Sequence, residues 1–530
     1  MREIKKIRIL FWGILALGIL LRCIRFGQVP AGINQDEAMA AVDAWALSEY
    51  GTDRYGTFLP VHLEAWKYGQ MSALLSYCMV PFIKLFGLNT VAVRLPMLVV
   101  SSAGIALVYL VGKKLFNEKL ALAAMLLTAV NPWQFMQSRW SLDCNLFPHI
   151  FLLAFYLLLV GLEKRPWLYV SMVFFGLTFY CYGVAAYSVT AFLFVFFLWC
   201  LCKKQLKFRQ GFLCAVIFVL VALPETIVLA INALHLNTSI RTPFFTMQYF
   251  PESVRSADIL LLNFSFAQLG KNAWALISSV FLQLPDIFFN SIPAFGPLYH
   301  VSIPFLLLGI VIFTRRLFGE KDIQRQTKML ALWGFLITGI WVGLITYEVN
   351  INRVNIIVYP LILFCAYGIG LVAGRWKKTV PVFAAVYGFC AALFFFNYFT
   401  DYAAESKEYY NEDFMAAVSE ADNMQAYDRL YITGNLGWQF NQSAAEILTH
   451  YACKIDALYY QGKSNVSGGK ALPDYRERYH YIYPEQSGAE FKDMVSDGLV
   501  MLHQDDLQYL DFDYDVVDTV GDYLLVTVAE

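Results

Sequence analysis

The chain has 530 residues, of which 58% are apolar and 15% charged, and its net charge is −1. Soluble domains carry about 25% charged residues, so these values exclude a wholly soluble protein, and the balanced charge gives no footing for a nucleic-acid partner. A polytopic membrane protein with room for one modest soluble domain is expected.

In chain order, apolar runs near the roughly 20 residues that cross a bilayer lie at 8–25, 91–112, 119–137, 146–162, 167–183, 185–202, 211–231, 301–316, 328–346, 354–373 and 379–397. The first follows basic residues and has no small-residue cleavage site, so it reads as a retained span. The run 69–87 is also nearly long enough, but Pro81, Lys84 and Gly87 interrupt it. Basic clusters arbitrate: the N-terminal lysines and arginines, Lys113/Lys114/Lys119, Lys164/Arg165, Lys203–Arg209, Arg315–Lys328 and Arg375–Lys378. All fall on one side if 69–87 lies along the outer surface as an interfacial helix. The expected architecture is an all-α polytopic domain over 1–399 with about eleven transmembrane helices. Its N-terminus is inside, its C-terminus outside, and interfacial helices occupy the first outer loop.

Residues 400–530 read as a small external α/β domain. EDFMAAVSEADNM and AAEILTHYACKI have helical periodicity. YDRLYIT, YHYIYPE and the closing YDVVDTVGDYLLVTVAE read as strands, the last with a turn at Val520–Asp522. Of the ten cysteines most sit in apolar runs, and Cys453 alone falls in the polar C-terminal region, which therefore has no internal disulfide available.

Chemistry-bearing residues collect in the outer loops. Asp36, Glu37, Asp43, Glu64 and Lys67 lie in the first; Arg139 and Asp143 in "SRWSLDCN"; His235, Arg241, Glu252 and Arg255 in the long fourth loop; Glu348 and Arg353 in "YEVNINRVN". The inner loops are mainly basic, which topology alone explains. In "GINQDEAMAA", Asn34 and Glu37 are spaced as a capping box, and Asp36 in the first turn suits the helix dipole. A structural role for the acid pair is therefore the ordinary reading. Against it, the pair directly follows a span, and topology places Asp143 on the same side. Asp143 itself also reads as a helix-start acid. His235 and His300 read as satisfied polar residues, and Phe244–Phe250 as resting on the lipid surface. With no His/Cys/Asp cluster at zinc spacing, no metal is expected to be required, and a divalent ion stays open.

The DE pair after the first span, "KYGQMSALLSYCMVPFIKLFGLN" followed by "AVRLP", the "GKKLF" inner loop and "NPWQFMQSRWSLD" together resemble the GT-C membrane glycosyltransferases. The nearest likeness is to the protein O-mannosyltransferase and aminoarabinose transferase group, glycosyltransferase family 39. It runs well over about the first 165 residues, with "FGPLYHVSIPFLLLGI" and "NRVNIIVYPLILFCAYGIG" echoing later parts. The resemblance implies a polyprenyl-phosphate sugar donor used on the outer face of the plasma membrane. It implies Asp36 as catalytic base with Glu37 its neighbour, Asp143 organising acceptor or base, and Arg139 a basic residue just before it. Lys67 stands for a phosphate-contacting lysine and Arg353 for a late-loop arginine near the lipid phosphate. Where relatives read Glu-Lys-Pro-Pro, this chain reads "LEAWKYGQ", so the prolines are missing and Glu64 is displaced. Arg241 is a further substrate-binding candidate.

The expected function is an inverting transfer to an acceptor hydroxyl on protein, lipid or polysaccharide. A transporter or flippase of a lipid-linked glycan is the alternative, and it prefers charges inside the spans and paired broken helices. A receptor without catalysis leaves the outer-loop acids unexplained.

Overall fold

The computed structural model describes residues 2–66, 69–251, 260, 264–484 and 491–529. The chain forms two compact units. One comprises Met1–Phe26, Pro96–Thr238 and Ser253–Phe399; the other comprises Gly27–Leu95, Ser239–Glu252 and Thr400–Glu530. Phe399 and Thr400 fall in different units, and the first outer loop and a short piece of the fourth are grouped with the C-terminal segment.

Among the described residues, eight helices are long and apolar enough to cross a membrane: Thr90–Leu115, Asp143–Gly161, Ala185–Cys202, Phe208–Ala233, His300–Gly319, Ile323–Ile345, Ile351–Arg375 and Thr379–Phe399. Three more of the eleven expected runs are helical but fall short of that test, each for a local reason. Arg2–Cys23 carries Lys5, Lys6, Arg8 and Arg22. The run 119–137 is split into Glu118–Ala129 and Pro132–Gln137, because Asn131 caps the second helix and Pro132 opens it. Pro166–Leu177 passes into a 3₁₀ turn, Thr178–Tyr180. The run 69–87 contains the short helix Leu74–Phe86.

In the first unit, helices Ile303–Gly319 and Val358–Arg375 meet through glycine. A Cβ on Gly309 would strike the Phe364 carbonyl, and one on Gly368 would strike the Phe305 carbonyl. This is the small-residue contact that lets helices in lipid approach closely, and Phe313 packs edge-on to Phe364 beside it at 5.3 Å. Substituting leucine at Gly309 or Gly368 is expected to destabilise by about 1–3 kcal/mol or more through overpacking. A thermal melt of the purified protein in detergent will show a lowered midpoint for either variant, against an unchanged one for Gly388→Ala, where a Cβ meets open space.

The second unit holds a five-stranded mixed sheet in the order Tyr514–Val520, Tyr523–Val528, Leu499–His503, Leu430–Thr433, Tyr479–Ile482. Leu430–Thr433 runs parallel to both its neighbours, and the last two strands close an antiparallel hairpin at the expected turn. Tyr431, Ile482, Phe491, Val500, Leu502 and Val526 form one buried cluster. The predicted helices appear as Glu412–Asn423 and Gln442–Ala452. From the first outer loop come helix Gln35–Tyr50 and the hairpin His62–Ala65/Gly69–Ser72.

His450, on helix Gln442–Ala452, is buried with its Nε2 2.7 Å from the Tyr475 hydroxyl. Burial, and after it the Arg54 charge, pushes its pKa from 6.5 down to about 3. The unfolded chain therefore binds a proton the folded one refuses. The stabilisation is complete above pH 6.5 and is lost as pH falls towards 3. A melting-temperature series across that window is expected to fall for the wild type and to fall less for His450→Gln.

Candidate active site

The opening acids are built by helix Gln35–Tyr50. Asn34 caps it, accepting from the Asp36 N–H at 3.0 Å, and Glu37 Oε2 reaches back to the Asn34 N–H at 3.3 Å. Both halves of the capping box are present. Glu37 does more than cap. It is fully buried against Arg94, accepting from Nε at 3.0 Å and from Nη2 at 2.9 Å. Arg94 in turn donates to the carbonyls of Pro30 (2.7 Å) and Gly32 (3.1 Å), and its guanidinium lies 5.4 Å from the Tyr410 ring centre. Asp36 is placed differently. It is half-buried, and its Oδ1 accepts from the Trp66 indole N–H at 2.7 Å.

The same helix carries a second buried pair, Asp43–Arg54, at 2.5 Å. Burial pushes the Asp43 carboxyl up to about 7, against the pull of the Arg54 guanidinium. Arg54 also donates to the Glu64 carbonyl at 2.9 Å and lies 4.5 Å from the Tyr55 ring centre. Arg54, Tyr55, Glu64 and Trp66 line a cavity of about 390 Å³ with Glu446, His450 and Tyr460. Arg241 is exposed, 5.5 Å from the Phe58 ring. Lys67 lies outside the described residues.

Asp143, Arg139 and Arg353 belong to the first unit. Asp143 is buried and opens helix Asp143–Gly161, its Oδ1 accepting from the Cys144 N–H at 2.7 Å. Arg139 is fully buried; it donates to the carbonyls of Arg22 and Arg25, both at 2.7 Å, and is ringed by Phe26, Phe135, Tyr398 and Phe399. It fastens the end of the first helix and the turn after it rather than facing solvent. Arg353 is partly exposed, donating to the Tyr347 carbonyl at 2.5 Å and lying 3.6 Å from Glu348. His235 and His300 are exposed, and His300 Nε2 is 3.2 Å from the Pro293 carbonyl. An apolar groove of about 330 Å³, lined by Phe192, Phe196, Trp333, Ile337 and Trp341, runs between helices Ala185–Cys202 and Ile323–Ile345. Among the described residues no three His, Cys, Asp or Glu side chains converge as metal ligands would.

Sequence reasoning missed Arg94, Trp66 and the Asp43–Arg54 pair as parts of the site. Arg94 carried a usable signal: a lone cation at the head of an otherwise apolar helix needs an acid nearby. Trp66 carried none, since its contact depends on the hairpin within which it follows the first strand.

The chain resembles the GT-C membrane glycosyltransferases in sequence and in fold. Residues 72–227 match the family model for dolichyl-phosphate-mannose-protein mannosyltransferase. The fold matches ArnT from Cupriavidus metallidurans bound to undecaprenyl phosphate with a TM-score of 0.55 at 10% identity, over 97% of each chain. The apo state of that protein gives a TM-score of 0.56, again at 10% identity, over 99% of this chain and 98% of that one. The archaeal oligosaccharyltransferase AglB from Archaeoglobus fulgidus, in complex with an inhibitory peptide and a dolichol-phosphate, matches with a TM-score of 0.52 at 12% identity, over 95% of this chain and 70% of that one. At these identities the likeness is one of fold. No curated protein sequence matches the chain.

Removing one member of the Glu37–Arg94 pair leaves a buried, uncompensated charge, which typically costs about 3–5 kcal/mol. Glu37→Ala and Arg94→Ala are each expected to lower the melting midpoint sharply. The double variant should lose less than the sum of the two, because no lone charge remains. Additive losses would show that the pair is not coupled.

Proposed function

We propose that the protein is an inverting glycosyltransferase that moves a sugar from a polyprenyl phosphate to an acceptor hydroxyl outside the cytoplasmic membrane. The observation that carries this reading is the division of labour between adjacent acids. Glu37 is locked onto Arg94, whereas Asp36 is half-buried, held at a chosen angle by Trp66, at the head of a capped helix. A carboxylate oriented by a neighbour's N–H, at the surface of the unit, suits proton abstraction. A buried paired one does not.

The chemistry is a single displacement. As the acceptor oxygen forms its bond to the anomeric carbon, its proton passes to Asp36. The bond from that carbon to the phosphate oxygen breaks, polyprenyl phosphate leaves with the electron pair, and the anomeric configuration inverts. An ordinary carboxylate is a weak base, so proton transfer comes late in this step. Arg353 is assigned to the lipid phosphate, since a partly exposed guanidinium can offer bidentate donation. Arg241 and Lys67 are assigned as further cations for that phosphate, and Asp143 to ordering the acceptor. Glu37 and Arg139 are positioning residues, acting through Arg94 and the first helix. The apolar groove of the first unit supports a lipid-borne donor, since a polyprenyl tail needs such a surface. Eleven spans, with the N-terminus inside and the C-terminal segment outside, remain the proposed topology.

Purified protein in lipid, given a panel of polyprenyl-phosphate sugars together with protein, lipid and saccharide acceptors, is expected to release polyprenyl phosphate. Asp36→Asn should reduce release by about 10²–10⁴-fold while melting like the wild type. Arg353→Gln should raise KM for the donor by about tenfold or more, as loss of a charge-assisted hydrogen bond does. Full activity of a folded Asp36→Asn variant rules out the assigned base.

A further inference from the structure

The cavity beside Trp66 is one of two that share walls. A second, of about 940 Å³, shares Tyr55, Glu446 and Tyr460 with it and adds Tyr431, Tyr475, Tyr479 and Tyr481. Both fall in or near the size range of small-ligand sites, about 300–1,000 Å³, and both lie within the second unit. Tyr479 and Tyr481 stand two residues apart on the sheet's edge strand, so they project from one face. The lining is thus dense in rings that each end in a hydroxyl.

The charged groups of the walls balance. Glu64 and Glu446 stand against Lys463 and Arg476, while Arg54 is already paired with Asp43. Such a lining has no excess charge to attract a phosphate or a polyanion, and too many polar groups to hold an acyl chain. Glu446 accepts long hydrogen bonds from Tyr460 (3.5 Å) and Tyr475 (3.4 Å). Bonds of that length are weak, so a closer donor replaces them at little loss. A pyranose ring meets these features together. Its C–H faces pack on tyrosine rings, and its vicinal hydroxyls donate to Glu446 and to phenol oxygens, the hydroxyl hydrogens of Tyr431 and Tyr479 being already given to Asp497 (2.8 Å) and Asp422 (2.6 Å).

We infer that the paired cavities walled by Tyr55, Glu446 and Tyr460 bind a neutral saccharide. Resting on the transfer reading above, this saccharide is the acceptor, because Trp66 lines the smaller cavity and donates to Asp36. The acceptor class is then a glycan rather than a peptide or a lipid chain.

The test is binding, not turnover. Full-length protein in nanodiscs is titrated with maltotetraose, chitotetraose and lacto-N-tetraose, and with a Ser/Thr-rich peptide as control, by saturation-transfer NMR. At least one oligosaccharide is expected to bind. Tyr55→Ala and Glu446→Gln should each weaken it by about tenfold or more, while both variants melt like the wild type. Asp36→Asn should bind the oligosaccharide as the wild type does. Binding intact in a variant that also keeps full transfer removes Asp36 as base and leaves the saccharide site standing. The inference is overturned if no oligosaccharide binds the folded protein, if binding ignores both cavity substitutions, or if the peptide binds there instead. Tyr55→Phe, which keeps the ring, should retain most of the affinity and guards against a folding artefact.

Discussion

The buried Glu37–Arg94 ion pair is the contact on which the arrangement around Asp36 depends. Two charges taken out of water are tolerated only when geometry and further hydrogen bonds satisfy them. Here the guanidinium is satisfied by both oxygens of Glu37 and by the carbonyls of Pro30 and Gly32. The pair therefore fixes the chain that leads into helix Gln35–Tyr50, not merely two side chains. The C-terminal segment joins at the same place. The Ile33 N–H bonds to the Tyr410 carbonyl at 2.6 Å, and Asn411 Nδ2 donates to the Ile33 carbonyl at 3.1 Å. Gly32 sits at φ +76°, where a Cβ would strike the Tyr410 carbonyl, so this crossing also demands glycine.

The first unit meets a related constraint with arginine. Carbonyls at a helix end have no partner within the helix, and in an apolar setting each unsatisfied one costs several kcal/mol. Arg139 answers for the carbonyls of Arg22 and Arg25. Arg22 donates to the carbonyl of Ala129 (3.0 Å), at the end of a neighbouring helix, and also to the Gly18 carbonyl (2.7 Å) and the Gln134 side chain. Two fully buried arginines thus end one helix and tie it to its neighbours. A guanidinium suits this task because its donors fan out in a fixed plane and it stays charged.

The helices and the closing hairpin were legible because they rest on period and turn chemistry. The apolar runs carry their own length, and Gly521 at φ +56° closes the last two strands where a turn was read. What was not legible is what depends on partners distant in sequence. Nothing in "LEAWKYGQ" says that Trp66 will meet Asp36, thirty residues earlier. The strand Leu499–His503 was hidden because all five of its residues are buried and it shows no alternation. The break of 119–137 at Asn131–Pro132 was written in the sequence, yet the surrounding hydropathy masked it. Residue identity located the acids; only packing separates the surroundings of Asp36 and Glu37.

That separation follows from helix geometry. Consecutive residues on an α-helix point about 100° apart, and neighbours at i and i+1 do not face each other. Two adjacent acids in the first turn therefore face different surroundings, even though this helix is buried all round from Glu37 to Ala44. Glu37 takes the inward direction, where a carboxylate is tolerable only with a matched cation. Asp36 is half-buried, and the Trp66 indole N–H orients it. The cation that Glu37 requires is the one that pins the loop before the helix, so the element presenting Asp36 is rigid because its neighbour is charged. A carboxylate on an unpinned loop would have the same chemistry and none of the alignment, and alignment is what the role proposed for Asp36 requires.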